Sequence, residues 1–304
     1  MTASAGGSGP SGLILLRKPE GETSFRALGP LKSKLGTTKI GHAGTLDRFA
    51  RGLLVTLVGS YSRLAGYVQA GQKLYRGVAR FGEETDTLDP EGKIVASADP
   101  PSRDALESVL PRFIGTISQV PPAFSALHVD GKRAYELALS GRPPEMRPRD
   151  VTIVALSLVS YDGRDATLEL RCSSGTYVRS LARDLALACG SRAHLVALER
   201  LEIGPFSIDD AVGPVEFEPE RDLRRLAPVE ASALGLRTAV LPDRLVERFK
   251  NGSRIDTVDL AGLETGTPAS GSDAAVFDGA GLLLGIVDVA GDVIRYKAVL
   301  AKAG

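Results

Sequence analysis

The sequence predicts an α+β protein: a mixed, mainly antiparallel sheet with flanking helices, followed by a small β-rich domain toward the C-terminus. Three observations predict this. The runs Val151 to Tyr161 and Ala166 to Cys172, joined at Asp162-Gly163-Arg164-Asp165, have the pattern of an antiparallel strand pair. Tyr177 to Cys189 places Val178, Leu181, Ala182, Leu185 and Ala188 on one stripe and meets Gly190 at its end, the pattern of an amphipathic helix. From Asp209 to Glu230 acidic residues and prolines thicken as at a domain junction, and a chain of 304 residues suits two domains better than one core.

In chain order, Met1 to Ser11 is Gly/Ser/Ala-rich, with neither a basic region nor an apolar core, and reads as a disordered tail rather than a signal peptide. Leu13 to Leu16 is a short strand ended by Lys18-Pro19-Glu20-Gly21. Thr23 or Ser24 caps a helix that Gly29-Pro30 interrupts. Gly52 to Gly59 carries the branched residues of a buried strand. Lys73 to Phe81 alternates with neither face cleanly apolar, and is read as a strand. Thr85 to Gly92 is a turn by composition. Ser102 caps a helix through Phe113, and Gln119-Val120-Pro121-Pro122 falls outside regular structure. Lys132 to Arg149 mixes a short helix, Ala134 to Leu139, with prolines and arginines, and reads as a projecting loop. Near the C-terminus, short apolar runs (Ala275 to Phe277, Leu282 to Val287) between Asp/Gly turns make a small β domain after one helix, Asp243 to Lys250.

Lys plus Arg equals Asp plus Glu at 37 each, so net charge says nothing about partners. Its distribution does. Residues 12–80 hold twelve basic and three acidic residues, which fits a polyanionic partner as well as a solvated face. No apolar run approaches the ~20 residues that span a bilayer. Cys172 and Cys189 lack metal-ligand spacing and only three histidines accompany them, which argues for free thiols, a cytoplasmic setting and no metal site.

Within the basic region, Gly41-His42-Ala43-Gly44-Thr45-Leu46-Asp47 packs two glycines, a histidine and a carboxylate into seven residues. A glycine-rich turn lets backbone approach a ligand, and its carboxylate can serve as nucleophile or base. Taken alone, Asp47 fits a turn or cap residue better. Arg179 is the second anomaly. It lies off the apolar stripe in the first helical turn, where the dipole disfavours a cation by about 0.3–1 kcal/mol. A carboxylate or phosphate partner offsets that cost; plain solvent exposure is the alternative.

Four motifs in order carry a family resemblance: Lys18-Pro19-Glu20-Gly21-Glu22-Thr23-Ser24, the Gly41–Asp47 heptad, Lys73-Leu74-Tyr75, and Gly175-Thr176-Tyr177-Val178-Arg179-Ser180. Their order and spacing resemble those of bacterial tRNA pseudouridine-55 synthases, the TruB family, over residues 12 to 210. Gln119-Val120-Pro121-Pro122 with Ser125-Ala126-Leu127, and Ala193-His194-Leu195 with Leu198-Glu199-Arg200, match as well. The C-terminal stretch resembles a PUA RNA-binding domain through Asn251-Gly252 and Leu284-Gly285-Ile286. The chain departs from the family at Ala43 (usually Thr), Arg48 (usually Pro) and Arg51 (usually Thr or Ser), which puts substrate affinity in question rather than chemistry.

The resemblance implies the pseudouridine synthase fold over residues 12–230, with an RNA-gripping insert at 132–149, and a PUA-like domain over 236–304. It implies a monomeric enzyme that isomerises the T-loop uridine of tRNA by base flipping, with no cofactor, no metal and no membrane, gripping the T-arm. By the same resemblance Asp47 is the catalytic carboxylate, Arg179 the cation that keeps it ionised, and Tyr75 the aromatic that stacks on the uracil. His42 fills the gap left in the tRNA loop, Leu198 lines the uracil pocket, and Lys18, Lys132, Arg133, Arg142, Arg147 and Arg149 bind substrate. An RNA-binding protein without catalysis, a guide-dependent relative in a larger RNP, and a carboxylate hydrolase using Asp86 or Asp89 as second carboxylate are the competing readings.

Overall fold

The computed structural model describes residues 9–125, 127–129, 131–141, 144–262, 273–290 and 293–301, with the backbone alone at 129 and 133. A nine-stranded sheet forms the larger body. Its main path runs Gly12–Lys18, Arg51–Val58, Ala193–Ile203, Lys73–Phe81, Asp165–Cys172, Arg149–Tyr161 and Gly115–Gln119, with Ile40–His42 and Phe206–Ser207 added beside it. Every pairing is antiparallel except one. Arg51–Val58 meets Ala193–Ile203 in parallel, at Glu199↔Arg51 and Arg200↔Gly52. The candidate site lies at this junction.

Lys73–Phe81 is mid-sheet, which resolves its ambiguous alternation. Lys73, Tyr75, Gly77, Ala79 and Phe81 share the buried face even though that face begins with a lysine. Against it lies the helix Val178–Ala188, whose Leu181, Ala182 and Leu185 join Phe81, Leu106, Leu168 and Leu170 in one core. Each such large side chain contributes about 1.5–3 kcal/mol by leaving water. Local signals act as expected. Thr23 accepts from Arg26 N, and Gly29-Pro30 splits the segment into helices Ser24–Ala27 and Gly29–Leu35. Ser102 accepts from Ala105 N ahead of helix Arg103–Val109. Gln119 departs from expectation: it is the last residue of a strand, and irregular backbone begins after it.

The acidic, proline-containing segment 209–230 is not a free linker. Val212 N donates to Leu15 O at 3.0 Å, Arg17 N to Val212 O at 2.8 Å, and Leu13 and Arg224 exchange bonds of 2.8 and 3.0 Å. These cover the outer edge of Gly12–Lys18, whose backbone groups would otherwise be unpaired. Of the N-terminal tail, residues 1–8 lie outside the described residues; Ser11 is docked, its hydroxyl accepting from Ser60 N at 3.2 Å.

A second sheet orders Arg237–Val240, Asp273–Phe277, Leu283–Ala290 and Val293–Val299, with helix Asp243–Lys250 beside it. Strand alternation divides its side chains between two cores. Val276, Leu284 and Val287 pack with Leu245 and Phe249, whereas Ala275, Phe277, Leu283 and Ile286 join Leu53, Val55, Leu57 and Tyr61 of the larger body. Polar bonds seal the same seam. Ser60 Oγ donates to Leu300 O at 2.8 Å, an Arg63 Nη to Val299 O at 2.9 Å, and Tyr67 Oη to Asp273 Oδ2 at 2.6 Å.

Candidate active site

The Gly41–Asp47 heptad leaves a short strand, Ile40–His42, and is anchored on both flanks by apolar side chains. Ala43 is fully buried in the core shared with the second sheet; Leu46, Phe49 and Ala50 are buried in the other core. The buried Ser24 hydroxyl holds both backbone groups of Leu46, accepting from its N–H at 2.9 Å and donating to its carbonyl at 3.1 Å. The next residue, Asp47, is the one left facing outward, its side chain 38% exposed.

Arg179 is not solvent-exposed; it is 3% exposed and meets Asp47 from below. Its Nη2 donates to Asp47 Oδ1 at 3.2 Å and to Phe124 O at 3.0 Å, and its Nη1 to Asp89 Oδ2 at 3.0 Å and Thr87 O at 2.8 Å. Arg179 Nε approaches Asp47 Oδ2 to 2.9 Å as a charge contact without hydrogen-bond alignment. Two carboxylates thus offset the dipole penalty of a cation in the first turn. The turn that presents Asp89 is itself fastened. Thr87 Oγ1 donates to Asp89 Oδ1 at 2.6 Å, Glu91 N donates to the same oxygen at 3.1 Å, and Leu88 takes a positive φ of 61°, costly for a leucine. Although one edge of Asp47 opens outward, the protein around its carboxyl strips water from it and lifts its pKa above the ordinary value. Arg179 pulls it back, Asp89 pushes it further up, and Lys18 works with Arg179. Arg179 therefore favours ionised Asp47, as the sequence suggests, but burial outweighs it.

The start of the Arg179 helix is stapled to the preceding irregular segment. Gln119, fully buried, donates through Nε2 to Tyr177 O at 3.2 Å and accepts Tyr177 N at 2.8 Å through Oε1. Ser180 Oγ donates to Val120 O at 2.8 Å. Above Asp47 opens a cavity of about 650 Å³ whose walls include Tyr75, Arg179, Leu198, Arg200, Lys73 and Arg149. That volume lies in the range of small-molecule sites. Tyr75 and Leu198 are 9% and 7% exposed and bring the apolar surface; burial pushes the Tyr75 phenol up, against the pull of Arg200.

The other sequence-derived site residues divide. Lys18, expected to bind substrate, is fully buried outside the cavity wall, and its ammonium donates to Pro19 O at 2.8 Å and Glu22 O at 2.6 Å, so in this structure it supports the loop. Burial lowers its pKa to about 8. His42 stands at the end of Ile40–His42, outside the cavity wall, with a buried Nδ1 that has no hydrogen-bond partner among the described residues; burial and the Arg200 charge lower its pKa and favour neutral imidazole. Arg149 opens the strand Arg149–Tyr161 and walls the cavity, so it belongs to the pocket rather than to a projecting loop. Lys132 and Arg147 are exposed on the insert, which folds as the pairing of His128–Val129 with Lys132–Arg133 and the helix Ala134–Leu139. Arg142 and the Arg133 side chain lie outside the described residues. Arg48 and Arg51 turn away from Asp47 to surface partners, Arg48 Nε to Gly21 O at 3.0 Å and Arg51 to Glu199 at 3.0 Å.

Sequence reasoning missed Asp89 as a partner of Arg179, and assigned nothing to Arg200, Lys73 or Gln119. Among the described residues no cluster of His, Cys, Asp and Glu forms a metal site, and no helix is long and apolar enough to cross a membrane.

Residues 32–178 match the N-terminal domain model of the TruB family of pseudouridylate synthases, a stretch that contains Asp47, Tyr75 and Asp89 and stops one residue before Arg179. A protein of Borreliella burgdorferi named tRNA pseudouridine synthase B is 46% identical over 204 residues, 66% of this chain and 72% of its own length. One of Bordetella parapertussis with the same name is 46% identical over 205 residues, 66% of this chain and 84% of its own. Among solved structures, an H/ACA RNP bound to a substrate RNA containing 2′-deoxyuridine superposes with a TM-score of 0.72 at 21% identity, covering 95% of this chain and 85% of that one. The archaeal box H/ACA sRNP Nop10–Cbf5 complex does so with a TM-score of 0.72 at 21%, covering 96% and 86%. At that identity the likeness is one of fold.

Proposed function

Because the chain belongs to the TruB family of pseudouridylate synthases, we propose that it isomerises the T-loop uridine at position 55 of tRNA, with Asp47 as its catalytic carboxylate. One observation carries the assignment to Asp47: of the described residues that wall the cavity, it alone bears a carboxylate. In the reaction the N1–C1′ bond breaks, the uracil turns, C5–C1′ forms, the C5 proton leaves and N1 gains a proton. The atoms balance with nothing supplied from outside. Attack at C6, attack at C1′ and removal of the 2′ proton all begin from ionised Asp47, and Arg179 favours that form.

Tyr75 is the residue proposed to stack on the uracil, with Leu198 closing the pocket around it. A neutral His42, outside the cavity, suits the vacated stacking position in the tRNA loop, since an uncharged ring loses little on leaving water. Lys132 and Arg147 are proposed phosphate contacts, Arg149 a contact nearer the base, and the second sheet a further RNA-binding surface. Hydrolysis by a carboxylate pair finds less support: of the two candidate second carboxylates, Asp89 faces Arg179 with its side chain 8% exposed, Asp86 accepts from Lys93 N at 2.9 Å, and neither is among the described residues of the cavity wall.

The test is to incubate the protein with an unmodified tRNA transcript and map pseudouridine chemically. Modification at the T-loop uridine, with Asp47→Asn lowering the rate by at least about 10³-fold while tRNA binding persists, is the expected result. Binding without any isomerisation by the wild-type protein leaves an RNA-binding role in its place.

A further inference from the structure

Arg200 has no part in the chemistry above, yet it is among the largest fully buried side chains of the molecule, 2% exposed. Among the described residues no carboxylate pairs with it; its neighbours with carboxylates, Glu199 and Glu202, are bonded to Arg51 and Arg171 instead. Burying an unpaired guanidinium is costly, and such a group persists where its donors are all directed. Those of Arg200 are directed at the site. Its Nε donates to Leu53 O at 2.8 Å and its Nη2 to Gly44 O at 3.0 Å, three residues ahead of Asp47. Its cross-strand partner is Tyr75, opposite it in register, and both side chains reach the cavity wall. The guanidinium charge also acts on the Tyr75 phenol, pulling its pKa down against the effect of burial. The backbone beneath it is fixed as well: a Cβ on Gly52, at φ 113°, would come within 2.4 Å of Arg200 O.

We propose that Arg200 is a positioning residue of the reaction, which holds the Tyr75 side chain in place across the strand pair and ties it to the loop that carries Asp47. The inference rests on the proposed function for what the base is, and on the fold alone for the Arg200–Tyr75 contact. Lysine does not replace arginine here, because a point charge cannot span two carbonyls at fixed angles as a planar fork does.

The experiment is a double-mutant cycle read by single-turnover rate and tRNA affinity. Arg200→Lys should lower the rate by about 10- to 100-fold with the tRNA Kd changed less than about twofold, and in a Tyr75→Phe background the same substitution should cost less than about threefold. An unchanged rate, or the full loss repeated in the Tyr75→Phe background, overturns the proposal. Should Arg200→Lys fail to fold, the contact is read with Arg200 intact. Tyr75→Phe should shift an exchange-protected arginine Nε resonance that Arg200 supplies, and a resonance that stays in place overturns the proposal too. This second reading needs no substrate, so it stands apart from any failure of the wild-type protein to modify tRNA.

Discussion

The cavity and the insert at 132–149 both gather cations, and they hold them in opposite ways. Arg179 is 3% exposed and bound by acceptors from three separate turns, around Asp47, Asp89 and Phe124. Lys132 and Arg147 are exposed and form no ion pair among the described residues. The buried cation gives up its water during folding, so nothing remains to be reorganised when substrate arrives. The exposed cations keep their water and counterions until a phosphate displaces them, which makes their contribution salt-dependent. Geometry for chemistry is set in advance, and adhesion is left adjustable.

Breaking the buried side should produce the largest change. Arg179→Ala leaves Asp47 and Asp89 without their cation, at a cost of about 3–5 kcal/mol in stability, and the single-turnover rate should fall by at least about 100-fold, more than tRNA affinity does. A rate near wild type would remove Arg179 from the site. Asp89→Asn is milder, about tenfold in rate, with a diagnostic pH effect. Burial and Asp89 together raise the Asp47 pKa, so activity should be lost on the acid side at a pH above the ordinary carboxylate range, as Asp47 takes up its proton. Removing the like charge of Asp89 lowers that pKa, and the acid limb should move to lower pH; movement the other way contradicts the arrangement. Smallest in rate is the exposed side. Lys132→Ala with Arg147→Ala should leave the saturated rate unchanged, weaken tRNA binding a few-fold, and reduce the salt slope by roughly one unit per lost contact. A changed rate at saturation would show that the insert shapes the cavity as well.

The same contrast decides what could be read from the sequence. The helix with Arg179 was legible because its stripe repeats within eleven residues, and the arginine stood out as a charge in the wrong turn. The heptad was legible through its glycines and through motif order. Asp89 was not, since Thr85 to Gly92 has an ordinary turn composition and Asp89 meets Arg179 across ninety positions of chain. Arg200 escaped for a related reason. It entered only as part of the Leu198-Glu199-Arg200 match, and its burial follows from its place opposite Tyr75 in the sheet, which no local pattern gives. Lys18 is the converse case, because a buried lysine held by backbone carbonyls has no local signature in the sequence. The acidic segment 209–230 has a linker's composition, yet it pairs with an edge that lies nearly two hundred residues away in sequence.

The core in which Phe277, Leu283 and Ile286 interleave with Leu53, Val55 and Leu57 bears on how the molecule melts. The two sheets share apolar surface, so neither can open without wetting the other, and calorimetry of the intact chain should record a single transition. A fragment ending before Arg237 would expose one side of that seam to water, and self-association would be its expected fate.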